Sequence, residues 1–139
     1  MATRLPNASQ QAAADGVVDR TDTGTGTATG LLRIYTGAQP ADADTAASGT
    51  LLAECTLANP AFGAANASGT ATLLSVPRTT TGLATGTAGW FRVVNRDGAS
   101  VYDGLVSMSG GGGELILDNT SIASGQTVNI TGLTYTQPA

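Results

Sequence analysis

The chain has 139 residues, enough for one domain around one core. Its apolar content of 41% is rich in Ala and its charged content is only 12%, which excludes the highly charged disordered class and fits an all-β domain with many turns. A formal charge of -4, with six Arg and no Lys, excludes the cationic surface that a nucleic-acid partner needs.

Cys55 stands alone, so no intramolecular disulfide can form, and no His supplies a base or a metal ligand. Residues 1–4 begin no apolar signal sequence, and no run reaches bilayer length. A soluble product made in the cytoplasm is expected, one able to leave the cell later as part of something larger, with no membrane partner. The absence of Lys has two readings. One is a GC-rich genome. The other is a surface built for protein contacts, where the planar fork of Arg pairs two ways with carboxylates.

Residues 1–15 read as an N-terminal arm of Ala, Gln, Ser and Asn, with a short helix possible over 10–14. The arm is either a frayed terminus or a segment that orders against a neighbouring subunit. Residues 16–22 can form a short strand, and 23–30 a Thr- and Gly-rich loop. Residues 31–36 form a firm strand, with Leu32 and Ile34 on one face and Arg33 and Tyr35 on the other. A polar connection over 37–49 leads to a strand over 51–57. There Leu51, Ala53, Cys55 and Leu57 alternate with Leu52, Glu54 and Thr56, and Cys55 reads as a buried structural thiol.

Phe62 follows a turn at Asn59 and Pro60 and is placed to plug one end of the core. Residues 70–76 predict a strand with Thr72, Leu74 and Val76 on one face, ended by Pro77. Residues 78–86 read as a Thr- and Gly-rich connection.

The strongest local signal is a hairpin over 87–108, turning at Asn95-Arg96-Asp97-Gly98. It carries Trp90, Phe91 and Tyr102, and aromatics dominate core energetics, so the hairpin is placed at the centre of the core. Its alternation sets Trp90, Arg92 and Val94 against Phe91 and Val93, so one aromatic must lie under a covering loop or at a subunit contact. The four-Gly run 110–113 reads as a flexible loop. Residues 114–118 predict a strand, 119–125 a turn, and 126–136 the last strand. In that last strand Leu133 and Tyr135 fall out of phase with Val128 and Ile130, which places a β-bulge at Gly132.

The sum is an all-β, two-sheet antiparallel sandwich of about eight strands over residues 16–139, with a jelly roll its commonest form. An immunoglobulin-like sandwich is the alternative, although its Cys–Trp–Cys spacing is missing. No catalytic, cofactor-binding or metal-binding residues are expected, and the chain does not read as an enzyme. Asp97 and Asp103 flank the hairpin turn, but a calcium site needs more oxygen ligands than they supply. The candidate interface residues are Trp90, Arg92, Arg33 and Tyr35, since Arg beside Trp on an outward face is a typical anchor. A surface Arg lying along its neighbours accounts for the same pattern.

The runs Leu-Arg-Ile-Tyr-Thr-Gly-Ala-Gln-Pro-Ala (32–41), Leu-Leu-Ala-Glu-Cys-Thr-Leu-Ala-Asn-Pro-Ala-Phe-Gly (51–63), Gly-Trp-Phe-Arg (89–92) and Asn-Thr-Ser-Ile-Ala-Ser-Gly-Gln (119–126) carry a family resemblance. The chain resembles the capsid cement, or decoration, proteins of short-tailed bacteriophages. The resemblance implies a jelly roll on the outside of the virion, made in the bacterial host cytoplasm. It also implies contacts to the major capsid protein and self-association, as homodimers. The alternative expectation is a β-sandwich at a tail or fibre that recognises a host cell-surface glycan through aromatics such as Tyr35 or Tyr102.

Overall fold

The structure is a computed structural model that describes residues 3–138. It opens with a helix, α1 (Asn7–Asp19), followed by a single 3-10 turn at Arg20–Asp22. The expected strand over 16–22 is therefore helical, and the helix runs well past residue 14. The reason is tertiary. Gln10, Ala14 and Val18 recur at a spacing of four and form one buried stripe, which outweighs the β preference of Val17-Val18 and the cost of Gly16. Asp15 accepts the N–H of Ala65 at 2.7 Å, and Gln11 donates to the Ala65 carbonyl at 3.1 Å, so α1 holds both backbone groups of one residue.

Nine strands follow: β1 (Leu31–Thr36), β2 (Leu51–Thr56), β3 (Thr70–Thr72), β4 (Arg78–Thr81), β5 (Gly86–Val94), β6 (Ser100–Ser107), β7 (Leu115–Leu117), β8 (Ser121–Ile122) and β9 (Thr127–Thr136). They form one curled sheet in the order β2-β1-β5-β6-β7-β9-β3, with β4 also on β9 and β8 on β5. The class is all-β and sandwich-like, of jelly-roll type. The two facing layers are parts of one sheet, and β6 and β7 pair in parallel where an antiparallel sandwich was expected.

The curl is closed by hydrogen bonds to the carbonyls of β2, two from side chains and one from backbone. Arg78 Nε donates to the Thr56 carbonyl at 2.8 Å, Thr80 Oγ1 to that of Glu54 at 2.7 Å, and the Leu83 N–H to that of Leu52 at 2.7 Å. These bonds cap the open edge of β2, which would otherwise be a template for aggregation.

Inside the curl lie Leu32, Ile34, Leu52, Phe91, Val93, Leu115, Ile130 and Leu133, all essentially inaccessible to solvent. Phe62, Phe91, Tyr102 and Tyr135 meet edge-on or tilted, with Tyr102 in contact with the other three. Phe62 is buried as expected. The bulge in β9 falls one residue from the expected place. Ile116 pairs with Gly132 and Leu117 with Ile130, so Thr131 is the extra residue. Ile130 and Leu133 can then both face inward.

Two other alternations differ from expectation. In β2, Ala53 pairs with Ile34 and Leu51 with Tyr35, so Leu52 is an extra residue and joins the core. In β3, Ala71 and then Leu73 face the core, while Leu74 and Val76 are exposed. The strand ends at Thr72, and Ser75 adopts a φ of 60° before Pro77. β4 and β8 arise where a connection and a turn were expected.

Candidate functional site

The face of the sheet turned away from the core carries all four candidate interface residues. Pairing of β1 with β5 sets Arg33 opposite Arg92 and Tyr35 opposite Trp90. Pairing of β1 with β2 sets Arg33 opposite Glu54, and pairing of β5 with β6 sets Arg92 opposite Asp103. One row thus crosses four strands as Glu54, Arg33, Arg92, Asp103.

Two like charges side by side repel, and each Arg turns to a carboxylate on its far side. Arg92 makes a two-pronged contact with Asp103, Nε to Oδ1 at 2.7 Å and the second nitrogen to Oδ2 at 2.9 Å. Both side chains are almost fully buried. The Arg33 Nε reaches Glu54 Oε2 at 2.8 Å, with both side chains about a third exposed. The hydrogen bond to Asp103 holds the Arg92 guanidinium pKa above its ordinary value, against the opposing effect of burial.

Tyr35 stacks on Trp90, with ring centroids 4.6 Å apart and planes 14° apart. The Arg92 guanidinium carbon lies 5.4 Å from the Trp90 centroid, on the ring's face, where the π cloud attracts a cation. Trp90 has no solvent exposure, Tyr35 has 8% and Arg92 6%. The aromatic that faces away from the core is thus as buried as Phe91, which faces into it.

The cover is the loop over 37–49. Its neck is pinned by the Thr36 N–H donating to the Thr50 carbonyl at 3.1 Å and the Thr50 N–H donating to Thr36 Oγ1 at 2.9 Å. Gly89 is required beneath it, because a Cβ there would sit 2.2 Å from the Gly37 oxygen. Pro40 and Ala43 are the half-buried residues of this otherwise exposed loop. Asp42 lies close enough for its charge to act on Arg92. Three of the four candidate residues are therefore brought together beneath a loop, and Arg33 alone keeps substantial exposure. A partner could touch Trp90 only if the loop moved. Among the described residues the Trp90 Nε1 hydrogen finds no acceptor, an unusual cost for a fully buried indole.

The far end of the same face is closed by a second loop. Asp97, at the hairpin tip, accepts the N–H groups of Thr25 and Gly26, both at 2.9 Å. These two bonds hold its carboxyl below the usual range. Arg96 Nε donates to the Thr27 carbonyl at 2.6 Å, and Asn95 Oδ1 accepts the N–H groups of Asp97 and Ala99. A cleft of about 390 Å³ remains there, lined by Arg33, Arg96, Leu31 and the loop backbone. The Asp97 clasp went unforeseen, because its partners lie about seventy residues away in the chain.

Tyr35 and Tyr102, the two aromatics named for glycan contact, are both strand residues and both buried. Cys55 is buried, and burial pushes its thiol pKa up. Among the described residues no group of three His, Cys, Asp or Glu could hold a metal ion, and no helix is long and apolar enough to cross a membrane. No family model, no curated protein and no solved structure matches the chain.

Proposed function

We propose that this protein is a structural virion component that binds the outside of a phage capsid shell and bridges major capsid protein subunits. The observation that carries the reading is the pinning of two long surface loops, over 23–30 and 37–49, to one face of a closed β scaffold. A cement protein works by many modest contacts made at once, and each contact gains from effective concentration only when the scaffold between them stays fixed. The sequence resemblance supplies the partner. The two loops and Arg33 supply an exposed, preorganised surface, which lowers the ordering cost of binding. Self-association as a homodimer belongs to the same proposal, since joints in a symmetric shell favour symmetric binders.

The test is stoichiometric binding to assembled shells. Purified virions should carry the protein in a fixed ratio to the capsid protein. Shells stripped of it should rupture at lower temperature and lower salt than decorated ones. Virions that lack the protein, or stripped shells that are equally robust, would end this reading. Labelling confined to the tail would favour the glycan-binding alternative.

A further inference from the structure

The sheet has a gap in its wall. β7 sits between β6 and β9, but it pairs with β6 only at Val106 and Ser107 and with β9 only from Ile130 to Leu133. Below that level β6 is paired on one side only, with β5, and β9 on one side only, with β3. The two walls are held about two strand spacings apart, roughly 9.6 Å, by β7 above. A cavity of about 450 Å³ occupies the place, lined by Tyr102, Glu114, Thr134, Tyr135, Thr136 and Pro138 among others.

Side chains stand in for the missing strand at its upper end. Glu114 Oε2 accepts the Leu105 N–H at 3.0 Å, and the Glu114 carbonyl accepts the Thr134 N–H at 3.1 Å. The Tyr102 hydroxyl crosses to the Thr134 carbonyl at 3.0 Å, and Tyr135, meeting Tyr102 edge-to-face, completes a floor. These bonds also fix which way the walls face. The Leu105 N–H points into the gap, so by the two-residue alternation of an antiparallel ladder the N–H and C=O of Asp103 do too. Thr134 points into the gap from β9, and so therefore does Thr136. Each wall offers backbone groups that no described strand pairs.

We infer that this slot accepts residues 3–5 of a second copy as an added strand between β6 and β9. Thr3, Arg4, Leu5 and Pro6 are all exposed and outside any helix or strand; Pro6 has no N–H and its carbonyl accepts the N–H groups of Ser9 and Gln10, so the backbone that can pair is that of Thr3, Arg4 and Leu5. Three extended residues span about 10 Å, which matches residues 134–136, the part of β9 beyond its pairing with β7. Pro6 already holds an extended backbone, with φ -68° and ψ 162°. Arg4 brings a positive charge to a slot lined by Glu114, and Leu5 brings an apolar side chain to the tyrosine floor. The segment also starts close by: Gln10 of α1 lies against Gly69, beside Gln137 at the end of β9. Its own arm stays outside the slot, whereas reciprocal exchange between two copies closes under a two-fold axis. Added strands of this kind bind through main-chain hydrogen bonds, with side-chain pockets setting specificity.

The inference rests on the self-association part of the proposed function and not on the shell. Its test is a double variant of the full chain, Arg4→Cys with Thr136→Cys, two positions on the face opposite the tyrosine floor, oxidised mildly while Cys55 stays buried. The expected product is a covalent dimer. An intramolecular disulfide in a monomer would overturn the inference in favour of the chain's own arm. So would a non-covalent dimer without any cross-link, because the copies would then meet elsewhere and self-association would survive. A chain monomeric at every concentration would overturn both. As a second measurement, Arg4→Glu and Thr136→Pro should each weaken dimerisation about tenfold or more by sedimentation, with unchanged folding. Position 136 tolerates Pro because its N–H is outside the ladder. Unchanged dimerisation in both would also overturn the inference.

Discussion

Arg33 and Arg92 are neighbours in one cross-strand row, each with a carboxylate on its far side, yet their surroundings differ. The Arg33–Glu54 pair sits at the sheet's margin with both side chains about a third exposed, while Arg92–Asp103 lies under the 37–49 loop with side-chain exposures of 7% and 2%. The chemistry is the same and the consequences are opposite. An exposed pair exchanges water for a partner at little net gain. A buried pair is committed: its desolvation cost is met only while both members are present and well aligned. Arg92 satisfies that condition with two prongs on Asp103 and the Trp90 ring at its side. The buried end therefore orients the covered aromatics, and the exposed end is left available to a partner.

Removing one member of the buried pair is the strongest way to break this contrast. Asp103→Ala strands a buried guanidinium and should cost about 3–5 kcal/mol in denaturant unfolding. A loss under about 1 kcal/mol would mean that Asp42 turns in to replace it, making the two ends alike. Replacing both members sharpens the point. Arg92→Met with Asp103→Leu removes both charges at similar volume and should stay within about 2 kcal/mol of the parent, because no charge is left buried alone. At the exposed end, Arg33→Ala should cost less than about 1 kcal/mol. Under the proposed function, its larger effect is a weaker binding to assembled shells.

The same row shows what sequence could and could not reveal. Alternation along each strand suffices to put Arg33 and Tyr35 on one face, and Trp90 and Arg92 on one face. The carboxylate partners depend on register between strands, and register is set by bulges at Leu52 and in the hairpin that no local signal marks. The 37–49 cover is a polar, weakly patterned segment, so nothing in it announces that it shelters the only Trp. The hairpin was legible because Asn-Arg-Asp-Gly is strong turn chemistry, and the β9 bulge because its apolar phase flips at Gly132. Helix α1 was half-legible: its Ala-rich centre signals helix, but Gly16 and Val17-Val18 signal otherwise until Val18 finds the core. β4 was not legible at all. Arg-Thr-Thr-Thr has no apolar alternation, and its strand rests on β9 and on side-chain bonds to β2. The gap beside β7 belongs to the same class, a property of pairings absent rather than of residues present.

The smallest effect is the most specific in its pH dependence, and it compares the two loop clasps rather than the two ion pairs. The 37–49 neck uses backbone and a threonine hydroxyl and is indifferent to acid, whereas the 23–30 loop hangs on the Asp97 carboxylate. Two N–H donors stabilise the charged form, so the folded pKa of Asp97 lies below its unfolded value of about 3.9. The sign follows from linkage: the clasp contributes fully above about pH 4 and is lost as pH falls through the lower folded pKa. Asp97→Asn keeps an acceptor oxygen but removes the titration. The variant should be slightly less stable than the parent at neutral pH, and the gap between them should shrink below about pH 4 in paired unfolding curves. Hydrogen-exchange protection at Thr25 and Gly26, taken relative to the intrinsic rate at each pH, should fall in the parent over that same acid window and stay constant in the variant. Curves that run parallel through the window would show that the carboxylate charge does not hold the loop, and both clasps would then be neutral tethers.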